Sequence, residues 1–117
     1  MYLEDLIKIH KEMEMKELEV IKGIVNAYYN VDIDTKTRKR EIALPRQVFF
    51  WLARNEKDDL GVKYTYHQIM DSVLPVNNHA TVIHSIKLVD SLIVWDKDFK
   101  KDIELLKGII INEKQKK

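Results

Sequence analysis

Asn77-Asn78-His79-Ala80-Thr81-Val82-Ile83-His84-Ser85 is the stretch whose reading decides the fold. Asn78 suits a helix N-cap, because its side-chain oxygen accepts the free amide protons of a first helical turn. The residues after it carry two faces at 100° per residue. Val82, Ile86, Val89 and Ile93 cluster on one, and Ala80, His84, Lys87 and Ser91 on the other. The second set is small, polar or positive and contains no acid. A carboxylate there would repel phosphate, whereas these side chains can approach a phosphate backbone and base edges without penalty. The spacing predicts a helix from His79 to about Trp95.

Working outward, Thr65 is a plausible N-cap for a short helix through Leu74 that carries Ile69 and Val73 inward and is ended by Pro75. Residues 55–65 read as a polar loop around Gly61. A helix is expected from about Arg40 to Arg54, with Val48, Trp51 and Leu52 on its buried face. Pro45 lacks an amide proton and is tolerated in a first turn, which places the start near Ile42 to Leu44 or makes a kink. Residues 30–37 are a connector with little periodicity. Residues 2–29 read as one helix or two meeting near Met15-Lys16, with Leu18, Ile21, Ile24, Val25 and Tyr28 at helical spacing. A last helix begins near Asp96 or Asp98, where Phe99, Ile103, Leu106 and Ile110 close over the core and Trp95 packs at the corner.

The chain of 117 residues suits one core, 45% of it apolar and 33% charged, with three glycines, two prolines and no cysteine. That balance favours helices and excludes disulfides and thiolate metal sites. The longest apolar runs are too short to cross a bilayer, so a soluble, cytoplasmic protein is expected, with no membrane partner. Net charge is only +1, but its distribution is uneven. Lys36, Arg38, Lys39, Arg40 and Arg46 face one acid, Glu41, within residues 36–46, a local +4. Of the chain's 20 basic and 19 acidic residues this leaves 15 and 18 elsewhere. A local field of this kind steers a protein onto a polyanion in one orientation.

Three pieces in order, Lys36-Thr37-Arg38-Lys39-Arg40, Pro45-Arg46-Gln47 and residues 77–85, make the chain resemble the C-terminal DNA-binding domain of the bacterial replication initiator DnaA over about residues 17–110. The resemblance implies an all-α helix-turn-helix bundle of the DnaA C-terminal, Trp-repressor-like type with a long N-terminal helix. It divides the chain into a helical extension (1–16), the DNA-binding domain (17–112) and a frayed basic tail (113–117). It implies double-stranded DNA as partner, with Arg38 entering the minor groove beside Lys36, and Lys39 and Arg40 in the same basic loop. Arg46 and Gln47 match residues that meet phosphates and base. Asn77, Asn78, His79, Ala80 and Thr81 open the recognition helix, His79 and Thr81 matching contacts to base and backbone. His84 and Lys87 lie further along it, Lys87 where a basic residue touches phosphate.

The departures are specific. Asn77 stands where the family often has Arg, Ala80 where it has Ser or Thr, and Asn78 where Asp is usual. The connector is about three residues shorter than in the family and the 55–65 loop some five longer. Duplex binding is expected to persist, while each altered base contact shifts discrimination by roughly 1–3 kcal/mol.

The ATPase of the full initiator is not expected here, since no Gly-x-x-x-x-Gly-Lys-Ser/Thr loop cradles phosphates. Neither nucleotide nor any other cofactor is expected. His79 and His84 are five apart and do not share a helix face as i,i+4 ligands would, so no metal is expected. Asp32, Asp34, Asp58 and Asp59 read as solvated loop carboxylates and no catalytic residue is assigned. The leading expectation is a stand-alone, non-enzymatic, sequence-specific duplex-binding protein acting in replication initiation, its regulation, origin binding or transcription control. The alternative is a protein-interaction module that keeps the fold without DNA binding. Residues 2–15 would dock a replication protein or a second copy.

Overall fold

The computed structural model describes residues 3–37, 39–57, 61–74 and 78–115, with residues 7–16 described by backbone alone. Five helices account for most of them: α1 (Leu3–Tyr29), α2 (Arg40–Asn55), α3 (Tyr66–Asp71), α4 (His79–Trp95) and α5 (Lys97–Gln115). The molecule is an all-α helix-turn-helix bundle, with α3 and α4 forming the motif. Among the described residues no helix is long and apolar enough to cross a membrane.

The core is built around α2. Val48, Phe49, Phe50, Trp51, Leu52 and Ala53 are all buried, so this helix is wrapped rather than amphipathic. α1, α3 and α4 pack against it, and α5 closes over α1 and α4. The one-faced reading of α2 therefore named only three of its seven buried residues. Its start at Arg40 is as expected, and of the two readings offered for Pro45 the one near Ile42 to Leu44 does not hold, since Pro45 is buried inside the helix. A mid-helix proline forfeits one backbone bond and crowds the carbonyl four residues back. Burial of its ring and of the apolar run beyond it offsets that cost.

α1 runs unbroken through Met15-Lys16 and buries Leu18, Ile21 and Val25. It ends at Asn30, whose φ of 54° is the left-handed stop that asparagine tolerates. Residues 31–37 form turns without a helix, as the shortened connector implied. α3 opens on a capping box in which Gln68 N donates to Thr65 Oγ1 (3.1 Å) and Thr65 N to Gln68 Oε1 (2.8 Å). It is shorter than expected and stops at Asp71. There the Ser72 hydroxyl donates to the Ile69 carbonyl (2.6 Å), competing with continued helix, though Ile69 and Val73 point inward as anticipated. Pro75 lies outside the described residues. The 55–65 loop turns at Gly61 (φ 77°) but is less polar than it reads, for Tyr64 is buried and its hydroxyl donates to Glu17.

Asp96 joins α4 to α5. Its N–H caps α4 through the Leu92 carbonyl (2.8 Å), and its Oδ1 accepts from Asp98 N and Phe99 N at 3.1 Å each. Phe99, Ile103, Leu106 and Ile110 are buried. Trp95 departs from expectation: it is 85% exposed and packs at no corner. The reason is register, because Trp95 follows Ser91 by four residues and so extends the outer face of α4. The C-terminal residues depart too. Residues 113–115 are helical, and Lys114 pairs with Glu56 at 2.6 Å.

Candidate nucleic-acid interface

The rotation of α4 about its own axis decides what it presents. Val82 and Val89 are fully buried, Ser85 is 3% exposed with its hydroxyl donating to Thr81 O (2.8 Å), and Ile86 and Ile93 are half-buried. Trp51 Nε1 on α2 donates to Asp90 Oδ1 (2.7 Å), a second fix on the rotation. The opposite face is therefore turned to solvent. Asn78, His79, Ala80, Thr81, His84 and Lys87 are all exposed, as the sequence pattern required. Asn78 Oδ1 accepts from Ala80 N (2.8 Å), which makes the expected cap. Asn77 lies outside the described residues.

His79 has a neighbour that sequence reasoning missed. His67 on α3 lies with Nδ1 3.1 Å from His79 Nε2, and its Nε2 is 3.0 Å from Asp71 Oδ2. The His67 ring thus bridges Asp71 on its own helix and His79 at the start of α4. The first exposed ring of α4 is thereby oriented from α3. Twelve residues separate the two histidines, and no local periodicity connects them.

The basic segment is held differently. Lys36, Lys39 and Arg40 are exposed, Gln47 is half-buried, and Arg38 lies outside the described residues. Lys39 is the N-cap residue of α2 and offers no side-chain cap, and Arg40 is the first helical residue. Two cations thus stand beside the single acid Glu41 at the positive end of a helix dipole, where carboxylates are ordinarily preferred. That arrangement costs stability in the free protein and suits an approaching anion, for which uncapped amides are donors.

Arg46 is not the free arm that a phosphate ligand suggests. Its Nε donates to Ile33 O (3.0 Å), one terminal nitrogen to Thr37 O (3.2 Å) and the other to Thr35 O (2.6 Å). Burial pulls its pKa down while the Asp34 charge opposes the fall, and the group remains a cation.

Asp34 ties the same segment to the turn before α4. Its Oδ2 accepts from Lys22 Nζ (3.0 Å) and its Oδ1 from Leu74 N (3.1 Å). Lys22 is 7% exposed, donates also to Ser72 O (2.7 Å) and pairs with Glu19 (3.0 Å). Burial alone would lower the Lys22 pKa, but its hydrogen bonds to Glu19 and Asp34 and their charges together raise it. The basic loop and the lead-in to α4 are therefore bonded through a common carboxylate.

The family model described as the bacterial dnaA protein helix-turn-helix matches residues 18–89. Chromosomal replication initiator protein DnaA of Flavobacterium psychrophilum is 32% identical over 92 residues, covering 74% of this chain and 18% of that protein. The DnaA of Geobacter metallireducens is 31% identical over 117 residues (94% and 23%), and that of Bacteroides thetaiotaomicron 27% over 105 residues (87% and 21%). The chain thus spans about a fifth of the length of these relatives. No solved structure matches. With the α3–α4 motif, the capped opening of α4 and the basic lead-in to α2 all inside or beside the matched span, this chain belongs to the bacterial DnaA helix-turn-helix family.

Proposed function

We propose that this domain binds double-stranded DNA sequence-specifically, with α4 in the major groove and the Lys36–Arg40 loop against the minor groove. Membership of the DnaA family supports DNA binding. One observation supports the finer reading: Asp34, two residues before Lys36, accepts from Leu74 N on the connection between α3 and α4 and from Lys22 Nζ, so the lead-in to the cationic segment is tied to that connection. His79 and Thr81 read base and backbone at the start of α4, and the Ala80 methyl meets a thymine methyl. Lys87 and His84 face the backbone further along. Arg38, with Lys36 beside it, reads a narrow minor groove by shape and charge. Lys39 and Arg40 bring positive charge and the N-terminal end of α2 to one phosphate.

The process served is replication initiation, its regulation or transcription control, through occupation of origin-like sites, and nucleoid association follows from duplex binding. A second reading, a docking module, is favoured by Leu3 and Leu6, exposed at the start of α1, where a replication protein or a second copy could sit.

Selection of duplexes from a random pool, followed by a salt titration, separates the two. Neutralising about five phosphates makes log K fall with log salt at a slope of about −4 to −5. His79→Ala flattens sequence preference, Lys87→Ala weakens all duplexes alike, and Arg38→Ala hurts A·T-rich flanks most. No enrichment and no salt-dependent binding would leave the docking module.

A further inference from the structure

Residues 31–37 contain neither helix nor strand, yet their backbone is bonded on two sides. From α2, Arg46 takes the carbonyls of Ile33, Thr35 and Thr37. From α1, Asn26 Oδ1 accepts from Ile33 N (3.0 Å), and Lys22 holds Asp34. The turn at residues 32–35, closed by Thr35 N donating to Asp32 O (3.0 Å), brings alternate carbonyls within reach of one side chain, and a planar fork with several N–H groups takes three of them together. A lysine ammonium is a point donor on a flexible stem and cannot span the same set. The three bonds take three of the guanidinium's five N–H groups.

We propose that Arg46, working with Asp34, is a positioning residue that sets the reach and register of the basic loop relative to α4. It acts on DNA recognition through the loop's carbonyls rather than as a cation offered to the backbone. This rests on the duplex-binding reading above. Ile33 is fully buried and anchors one end of the segment. The other end carries exposed Lys36 and Lys39 on either side of half-buried Thr37 and leads into α2. Without the fork the two ends stay tethered while the middle is released, and the cations sample many positions over the groove. Their charge survives the change, but their aim does not.

The two roles separate by substituting Arg46→Lys and Arg46→Gln in the full chain. The readouts are amide hydrogen exchange at residues 33–39, thermal unfolding, and affinity for a selected duplex against a scrambled one over a range of salt. A positioning fork predicts that lysine fails to rescue. In both variants loop exchange speeds up by about tenfold or more, as expected when charge-assisted hydrogen bonds are lost. Preference for the selected duplex over the scrambled one falls by a similar factor, while Arg46→Lys still binds the scrambled duplex with near wild-type salt dependence. Asp34→Asn keeps an acceptor for Leu74 N but loses the charge that holds Lys22, and it shifts both readouts the same way by less. It serves as the test should either Arg46 variant fail to fold.

Lysine restoring wild-type preference and exchange would make Arg46 a phosphate contact and overturn the proposal. So would unchanged loop exchange in all three variants, whatever the DNA does. A wild-type chain that binds no duplex would remove the parent reading. Faster loop exchange in Arg46→Lys would even then uphold the locking role.

Discussion

The two elements that face the proposed duplex are held by opposite means. α4 carries most of its own instructions: a capping asparagine just before its 17 residues, and a buried and an exposed stripe within them. The basic segment carries almost none, and its shape is imposed by Arg46, Lys22 and Asn26 from two other helices. Local periodicity can orient a rod, since burying one stripe exposes the other. An aperiodic loop has no stripe to bury, so its backbone groups must find partners elsewhere. The lesson is that the reading helix is autonomous and the hook is conditional. Damage to either should therefore look different.

The largest expected effect destroys both. Val89 is fully buried against α2, and Val89→Asp places an unpaired carboxylate there. A loss of several kcal/mol, on the order of 4 or more, is expected, so the variant should lack a cooperative urea transition.

Alkaline titration comes next and should strike the hook's supports before α4. The Tyr29 hydroxyl is buried without a hydrogen-bond partner among the described residues, and its pKa is pushed up to about 12 by desolvation, then by the Asp102 charge and by Tyr28. Below pH 10, the ordinary tyrosine value, both states keep the proton and stability is flat. Between 10 and 12 the unfolded chain releases a proton that the folded one retains, so stability falls. Lys22 acts in the same direction. Its raised pKa contributes stability below the ordinary 10.5, which is lost as pH climbs through the folded value. Exchange at residues 33–37 should accelerate in this window ahead of the α4 amides.

Asn78→Ala sharpens the contrast from the other side. Removing the cap costs about 1 kcal/mol in thermal unfolding, with first-turn amides of α4 exchanging faster and loop amides unchanged. The smallest effect on stability should have the opposite sign. Arg40→Glu puts an acid at the positive end of α2 and raises stability by roughly 0.3–1 kcal/mol while weakening duplex binding. A variant destabilised by that change would break the view that the free protein tolerates a misplaced cation for an anion's sake.

What was legible in the sequence follows the same division. The two faces of α4, its cap at Asn78 and the Phe99, Ile103, Leu106 and Ile110 seam of α5 were readable because spacing alone encodes them. Arg40 to Asn55 was readable as a helix, but Phe49, Phe50 and Ala53 were not readable as buried, since only the surrounding helices decide that. Pro45 left two readings open, a later start or a proline inside the helix, and its burial within α2 decides for the second. Trp95 misled because its size suggested a core while its register assigned it to the solvent side. Lys22, Asp34, His67 and the true occupation of Arg46 were out of reach. Each pairs with a residue many positions away, and a charged side chain gives no sign in sequence of whether it points to water or to a carbonyl.

The placement of the two tryptophans has an optical consequence. Trp51 is 7% exposed, donates to Asp90 and lies under the Lys107 ammonium at 4.8 Å, whereas Trp95 is open to water at the far end of α4. Intrinsic fluorescence of the unlabelled protein should contain a blue component from the first and a red, iodide-quenchable one from the second. Shielding of the red emission on adding oligonucleotide would report a duplex lying lengthwise along the helix, and unaltered quenching would report one that engages only its opening turns.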